Sequence, residues 1–443
     1  MIFMGTFFLD TDRPLKAAYY TLGCKLNYAE TSTIGAHLRK AGIKEVSDGE
    51  VPDICVINTC SVTETADKKA RSLIRRVVRQ YPEAKIIVTG CYAQLKPAEA
   101  AAIPGVDVVL GSKEKHTIAD YLGHLGKKDA IVAASAFSSN DTFSPSCSRG
   151  DRTRFFLKVQ DGCDYFCSYC TIPYARGRSR SGRIDDLVLQ AAKAADEGGK
   201  EIVITGVNIG DFGKNTGETL LSLLKALDQV EGIRRFRISS IEPNLLTDGI
   251  IEWIAGESRA YMPHFHIPLQ SGSDKVLKMM NRRYDTALFA SRINKIRNLI
   301  PEAFIGVDII AGARGETQQE WEKTLEFVEN LDVTRLHVFP YSERPGTAAL
   351  LLGEVVGKEE RARRAATLIG ISDKKIKKFF EANYGKERNV LWETKSGNFI
   401  SGLTDNYIRV IAPGDESMLN SITKVRLEGE APGRTETLKA VKI

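Results

Sequence analysis

Three cysteines crowd one short stretch of this sequence, Gly162-Cys163-Asp164-Tyr165-Phe166-Cys167-Ser168-Tyr169-Cys170, with gaps of three and then two residues between them. Thiolates at Cys163, Cys167 and Cys170 make a soft ligand set, suited to an iron-sulfur cluster or a zinc ion. Either group needs more than three ligands, and a cubane 4Fe-4S cluster has four irons to satisfy, so one coordination position is left open. An iron without a protein ligand can bind a small molecule directly, which turns an electron carrier into a reaction centre. A zinc knuckle and buried structural cysteines are the alternatives, because short Cys motifs recur widely.

Three further cysteines, Cys24, Cys60 and Cys91, are far apart in sequence but alike in setting. Ala17-Ala18-Tyr19-Tyr20-Thr21-Leu22 reads as a buried strand running into Gly23-Cys24, with a helical pattern over Glu30–Lys40 behind it. The unit repeats. Ile54–Thr59 is a strand ending at Cys60, Glu64–Gln80 is helical, Lys85–Gly90 is a strand ending at Cys91, and a fourth strand, Val106–Leu110, closes the series. Strands alternating with helices predict a doubly wound parallel sheet, whose functional sites collect beyond the carboxyl ends of the strands. Equivalent positions at three strand ends predict a second three-thiolate site. Cys55, inside its strand with apolar neighbours, reads as a buried structural residue. Cys147 lies in the Ser-rich stretch Ser138–Arg149 and reads as a linker residue with no partner nearby.

Composition sets the bounds. With 443 residues, 43% hydrophobic and 27% charged, the chain can build two or three ordinary globular domains. The early apolar run Ile2–Leu9 is too short and lacks the basic flank of a signal peptide, so eight cysteines point to a reducing cytosol rather than a disulfide framework. No window approaches the roughly eighteen apolar residues of a membrane span. A net charge of +6 permits a nucleic-acid partner without announcing one.

Beyond the linker the alternation restarts, with strands expected at Phe155–Val159, Glu201–Thr205, Arg235–Ser239, Phe265–Leu269, Phe304–Ile310 and Leu336–Tyr341. The Cys-x3-Cys-x2-Cys loop after the first of these resembles the signature of radical S-adenosylmethionine (SAM) enzymes. That resemblance implies a partial (β/α)6 barrel, a 4Fe-4S cluster on Cys163, Cys167 and Cys170, and SAM chelated at the open iron. It further implies a SAM pocket at the strand ends, formed by Gly206, Asn208, Ser240, Glu242 and Gln270, with Tyr169 near the adenine. Read singly, each of these residues could equally cap a helix or satisfy a turn. His266 reads as a satisfied histidine of the barrel rather than a metal ligand.

The whole chain is similar to the radical SAM methylthiotransferases, which replace an unreactive C–H by C–S–CH3. The blocks that carry this are Thr21-Leu22-Gly23-Cys24-Lys25-Leu26-Asn27, Asn58-Thr59-Cys60-Ser61-Val62-Thr63, Thr89-Gly90-Cys91-Tyr92-Ala93-Gln94, Cys170-Thr171-Ile172-Pro173-Tyr174-Ala175-Arg176-Gly177 and Gly272-Ser273-Asp274-Lys275-Val276-Leu277. One departure is Ala313-Arg314, where many members carry Phe-Pro. The resemblance implies a second 4Fe-4S cluster on Cys24, Cys60 and Cys91, two SAM molecules per turnover, and an electron donor such as flavodoxin or ferredoxin. Two clusters suit the chemistry, because a C–H bond without acidity or a leaving group resists acid-base catalysis and yields to a radical.

From Gly357 a basic amphipathic helix runs toward Tyr384. Short strands follow at Val390–Trp392, Phe399–Gly402, Tyr407–Ile411 and Val425–Leu427, resembling the TRAM domain, a small RNA-binding all-β barrel. Aromatics interleaved with Lys395, Arg409 and Arg426 suit base stacking with phosphate contact; they suit equally a barrel core with a solvated charged face. Lys68, Lys69, Arg71, Arg75, Arg76 and Arg79 form a second basic stripe, with Lys68, Arg71 and Arg75 as candidate RNA contacts. The domain division expected is 14–137, a linker at 138–150, 151–382 and 383–443. Within the methylthiotransferases, Asn58-Thr59-Cys60-Ser61-Val62-Thr63-Glu64 and Gly23-Cys24-Lys25-Leu26-Asn27 resemble the MtaB type, which acts on N6-threonylcarbamoyladenosine next to the anticodon of tRNA. The alternatives are isopentenyladenosine in tRNA, an aspartate of a ribosomal protein and, from another class, a non-enzymatic metal-cluster RNA-binding protein.

Overall fold

The structure is a computed structural model that describes residues 13–124, 129–138, 141–148 and 153–443. The apolar run Ile2–Leu9 and parts of the expected linker lie outside the described residues. The chain forms two compact units. The first holds the described residues up to Ser148 with Asp161–Asp164 and Cys170–Arg180; the second holds those of Arg149–Gln160, Tyr165–Tyr169 and Ser181–Ile443.

In the first unit, strands β1 (Lys16–Thr21), β2 (Lys44–Glu45), β3 (Ile54–Thr59), β4 (Lys85–Gly90), β5 (Val108–Leu110) and β6 (Ile131–Ala133) form a parallel sheet in the order β2-β1-β3-β4-β5-β6. Alternation along β3 explains its burial on both sides. Cys55 and Ile57 pack with Ala70, Ile74 and Val77 of helix α2 (Glu64–Gln80), whereas Ile54 and Val56 pack with Ile34 and Leu38 of helix α1 (Lys25–Lys40). The Thr63 side chain accepts a hydrogen bond from Ala66 N at 3.1 Å and fixes the start of α2. Pairing of Thr21 with Asn58 and of Thr59 with Gly90 levels the carboxyl ends of β1, β3 and β4.

The structure corrects three expectations in this unit. Helix α1 begins at Lys25 rather than Glu30, its first turn burying Leu26 and Ala29, an apolar pair three residues apart that precedes the expected start. The sheet continues past Val108–Leu110 into β6, three residues being too short to show a strand pattern. Cys147 is 6% exposed within the two-residue strand Ser146–Cys147, with its sulfur 3.6 Å from Ser148 O, so it is an ordered buried residue rather than a loose one.

In the second unit, parallel strands Arg154–Lys158, Glu201–Thr205 and Arg235–Ile238 form one sheet and His264–Gln270, Phe304–Ala311 and Arg335–Pro340 another. A parallel bridge between Ser240 and His266 joins the two into an arc of six, the partial (β/α)6 barrel. Thr219, Thr247, Asp285 and Thr317 cap four of the intervening helices with their side chains. Helix Lys358–Glu381 leads into a closed barrel of Glu387–Ser396, Phe399–Thr404, Arg409–Pro413, Leu438–Lys442 and Ile422–Glu430, in that spatial order. The sequence shows four of these strands. Leu438–Lys442 is the fifth, closing the barrel by pairing antiparallel with Ile422–Glu430 and parallel with Arg409–Pro413.

Candidate functional site

The first unit brings Cys24, Cys60 and Cys91 to one end of its sheet. The β1/β3 boundary is where this strand order reverses direction, the place at which such sheets bind ligands. Glycines carry the chain into two of the cysteines. Gly23 has φ +105°, and a Cβ there would stand 2.7 Å from Cys60 Cβ; Gly90 has φ +94°, and its Cβ would meet Thr59 O at 2.3 Å. No L side chain fits either position without displacing the thiol-bearing backbone. Cys24 is exposed, while Cys60 and Cys91 are buried. Burial pushes the Cys60 thiol up to about 12, with Cys91 and Cys24 adding to the shift. Burial raises Cys91 also, and Arg176 and Lys115 oppose it.

Behind the thiols lies a polar network that sequence reasoning misses. Arg176, on the short helix Ile172–Arg176, donates from Nη1 to Glu30 Oε1 and Asp161 Oδ1, both at 3.0 Å. Its Nη2 donates to Asn27 Oδ1 at 2.7 Å and Glu30 Oε2 at 3.1 Å. Lys115 pairs with Glu30 at 2.6 Å, both side chains being fully buried. Asn27 Nδ2 in turn donates to Leu22 O at 2.7 Å and Thr59 O at 3.1 Å, tying the β1 and β3 ends together. The only sequence signal is the proximity of Arg176 to Cys170; nothing pairs it with Glu30, 146 residues away.

Among the described residues no three His, Cys, Asp or Glu side chains close around one point as a single ion requires. A cubane spreads its ligands over separate irons, whereas structural zinc takes four at one centre. Three soft thiols at adjacent strand ends are a donor set suited to such a cluster, with one iron left without a thiol from this set.

For the second set of cysteines, Cys163 N donates to Gly177 O at 3.0 Å and Cys170 Sγ accepts from Ile172 N at 3.4 Å, both within the first unit. In the second unit, burial raises the Cys167 thiol against the opposing charge of Arg282, whose Nη1 lies 3.1 Å from the sulfur and 3.4 Å from Tyr169 OH. Nη2 of Arg282 donates to Glu242, whose carboxyl burial holds above the usual range. Asn208 is 4% exposed, and its side-chain Oδ1 and Nδ2 are both buried without a hydrogen-bond partner. An orphaned amide at a strand end is what a zwitterionic ligand would complete. Gly206 serves packing: a Cβ there would lie 2.9 Å from both Gln160 O and Ile209 Cγ2. Gln160, absent from the sequence reading, receives Val207 N at 3.0 Å and Asn208 N at 2.8 Å on Oε1 and so orients that strand end. Ser240 bridges to His266, and Gln270 sits at φ +68° on a bulge in its strand. His266 Nε2 is 2.7 Å from Asp308 Oδ1, a satisfied histidine.

Of the expected RNA contacts, Lys68 pairs with Glu64 at 2.9 Å and Arg71 with Glu99 at 3.7 Å, while Arg75 is exposed on α2. Lys68, Arg71, Arg75 and Arg79 line a surface hollow of about 590 Å3. Lys395 pairs with Glu416 at 3.3 Å, and Arg409 edges a hollow beside Phe304 and Tyr407. The aromatics divide. Trp392 is core, donating to Thr423 Oγ1 at 2.7 Å; Tyr407 packs on His264 and Phe304; Phe399 is exposed.

A model of the radical SAM superfamily matches residues 157–328, and one described as uncharacterized protein family UPF0004 matches residues 16–111. The arc of strands and its cysteine loop thus define the class, radical SAM. A solved radical SAM methyltransferase, TsrM from Kitasatospora setae with cobalamin and a [4Fe-4S] cluster bound, superposes with a TM-score of 0.55 at 14% identity, over 76% of this chain and 77% of that one, a likeness of fold. The chain is 40% identical over 425 residues to "Threonylcarbamoyladenosine tRNA methylthiotransferase MtaB" of Bacillus subtilis, covering 93% of each. With "tRNA-2-methylthio-N(6)-dimethylallyladenosine synthase" of Pelotomaculum thermopropionicum it shares 30% over 92% of this chain and 94% of that one. The chain belongs to the MtaB family of radical SAM methylthiotransferases.

Proposed function

We propose that this protein converts N6-threonylcarbamoyladenosine in tRNA to its 2-methylthio derivative, with two 4Fe-4S clusters and SAM. The observation that carries the reading is the pairing of two three-cysteine sets in one chain, one level across three adjacent strand ends and one following the first barrel strand. The higher identity to the threonylcarbamoyladenosine enzyme than to the dimethylallyladenosine enzyme supports the choice of acceptor.

Cys163, Cys167 and Cys170 would hold the barrel cluster and Cys24, Cys60 and Cys91 the auxiliary one. When bound, the first supplies SAM-derived radical chemistry for hydrogen abstraction and the second supplies the sulfur. The chain's own residues bind and orient. Asn208 offers both a donor and an acceptor to the SAM pocket that Gly206, Ser240, Glu242, Gln270 and Tyr169 would complete, and Gln160 holds Asn208 in place through its backbone. Arg282 joins Cys167, Tyr169 and Glu242, setting the cysteine loop and the pocket wall in one geometry. The chain divides on this reading into a cluster domain at 14–137, the barrel at 151–382 and an RNA-binding barrel at 383–443. Lys68, Arg71 and Arg75 on α2, with Lys395 and Arg409, would meet tRNA phosphates. The enzyme would work in the cytoplasm with a flavodoxin or ferredoxin as electron donor; among the described residues no helix is long and apolar enough to cross a membrane.

The test is anaerobic reconstitution with iron and sulfide, then SAM, reductant and tRNA with or without the threonylcarbamoyl group, read by nucleoside mass. A methylthio adduct only on threonylcarbamoyladenosine is the expected result. 5'-Deoxyadenosine without a modified nucleoside would leave the radical chemistry standing and overturn the acceptor.

A further inference from the structure

Ala313-Arg314, the pair that departs from the methylthiotransferase pattern, lies in the second unit on the loop after strand Phe304–Ala311. Ala313 is buried and packs with Val276, Met280, Ile310, Tyr341 and Ala349. Arg314 closes a clasp on the segment that follows the last barrel strand. Its Nε and Nη2 donate to Glu343 Oε1 at 3.1 and 2.9 Å, and its Nη1 donates to Leu350 O and Leu352 O, both at 3.2 Å. Arg361 Nη2 reaches the same Glu343 oxygen at 3.1 Å. Gly315 N donates to Glu354 O at 3.0 Å, with Glu354 in the left-handed region at φ +49°, a conformation that persists only where neighbours fix the backbone. The segment needs such ties. Leu351 is 89% and Val355 61% exposed, so burial of these two side chains does little to hold it.

What the clasped segment meets is the cysteine loop. Ala349 N donates to Ser168 O at 2.8 Å, and Ser168 N donates to Met280 O at 3.1 Å. Asn281 Nδ2 donates to Tyr165 O at 3.1 Å and Phe166 O at 3.2 Å, so the residues after helix Asp274–Met279 supply the other hold on the same backbone. Ser168 is the residue next to Cys167, and Tyr169 packs against the apolar cluster that contains Ala349. We infer that Arg314 is a positioning residue for the radical chemistry: by clasping Leu350 and Leu352 it seats Ala349 on Ser168 and so fixes the stretch that carries Cys167 and Tyr169. The inference rests on the reading of Cys167 as a cluster ligand. Lysine in place of Arg314 could keep the pair with Glu343 but could not hold the two carbonyls as well, because the fork is lost.

The test reads Ser168, to which Arg314 makes no hydrogen bond of its own. Amide hydrogen exchange is followed in the full-length protein, before and after anaerobic reconstitution with iron and sulfide, for the unaltered chain, Arg314→Met, Ala349→Pro and the double variant. Methionine keeps an apolar stem and removes the clasp; proline removes the Ala349 donor. Each single substitution should speed exchange at the Ser168 amide about tenfold, the worth of one to two hydrogen bonds, and leave the first unit's amides unchanged. Both act on one link, so the double variant should exchange no faster than the faster single. Unchanged exchange at Ser168 in Arg314→Met overturns the inference. So does a double variant in which the two effects multiply, and so does acceleration spread evenly over the chain, which is global destabilisation. In the reconstituted protein Arg314→Met should slow 5'-deoxyadenosine formation about tenfold and leave KM for tRNA unchanged. The converse, a raised KM at an unchanged rate, would make the exposed Leu351 and Val355 a tRNA contact and overturn the positioning role. If Ser168 responds as expected but the unaltered protein yields no 5'-deoxyadenosine, the clasp stands and the cluster reading is refuted instead.

Discussion

Cys55 and Cys60 lie five positions apart on one strand and its exit, and their surroundings assign them different work. Cys55 packs against Ala70, Ile74 and Val77 in the core, with burial raising its thiol to about 12. Cys60 sits past the strand end, beside the other two strand-end thiols. Cys60→Ser should therefore empty the auxiliary cluster, measured as loss of about half the iron and sulfide after reconstitution, since a hard hydroxyl replaces a soft thiolate. Cys55→Ser should keep the iron and cost about 1–3 kcal/mol in urea unfolding, from a hydroxyl buried in an apolar layer. The reverse pattern would exchange their roles. Asn208 gives a second prediction at this scale. Its orphaned amide has its bonding capacity free for SAM, so Asn208→Ala should weaken SAM binding roughly tenfold by calorimetry, the value of one to two hydrogen bonds. Unchanged affinity would place SAM elsewhere.

At the scale of elements, the arc and the closed C-terminal barrel are joined by arginine. Arg237 donates to Glu201 Oε1 at 2.9 Å, Asp405 O at 2.8 Å and Thr404 O at 2.7 Å; Arg235 donates to Leu403 O at 3.0 Å and Asn389 O at 2.7 Å. Burial raises the Glu201 carboxyl, but Arg237, Arg154 and Arg235 outweigh it and hold the group below its usual range. Arg237→Ala removes the hydrogen-bonded partner of buried Glu201 and leaves it only the longer-range Arg235 and Arg154, so the substitution should cost about 3–5 kcal/mol. Limited proteolysis between the end of helix Lys358–Glu381 and strand Glu387–Ser396 should then release the terminal barrel. A depressed carboxylate stabilises above its unfolded pKa and loses that contribution as pH falls through the folded value, so release in the unaltered protein should grow only below about pH 4. How much of this is legible in sequence follows from what each element depends on. Helix α2 shows both of its ends, because the Thr63 cap and an apolar period are local signals. The strand-end cysteines are legible because topology converts sequence spacing into adjacency. Arg176, Gln160 and the Arg235–Arg237 pair are not, because a buried polar side chain and an exposed one are the same letter until the partner arrives from a distant part of the chain. Leu438–Lys442 escapes notice because five residues with two lysines show too little of a strand's period.

At the scale of the whole molecule, the question is where a modest net charge is placed. Helix α2 carries six Lys and Arg against Glu64 and Asp67, a surplus of four in a chain whose total is +6. Its apolar face, Ala70, Leu73, Ile74 and Val77, is committed to the sheet, which drives the cations outward. Thr63, three residues past Cys60, starts the helix, so the stripe leads away from the thiols with Arg75 and Arg79 over its last turns, about 18–24 Å along the axis at 1.5 Å per residue. That length suits several successive phosphates of one nucleic-acid strand running out from a base held near the thiols. If so, binding must release counterions, and log affinity must fall linearly with log salt. Arg75→Ala together with Arg79→Ala should lower that slope by about 0.7–0.9 for each phosphate left unneutralised, measured by filter binding of threonylcarbamoyl-modified tRNA across a salt series. Affinity should drop at low salt and converge with that of the unaltered protein as salt rises, because screening removes what the substitutions remove. An unchanged slope would make α2 a solvated face and leave phosphate binding to the terminal barrel, where Phe399 is the exposed aromatic and Arg409 the cation at the edge of a hollow.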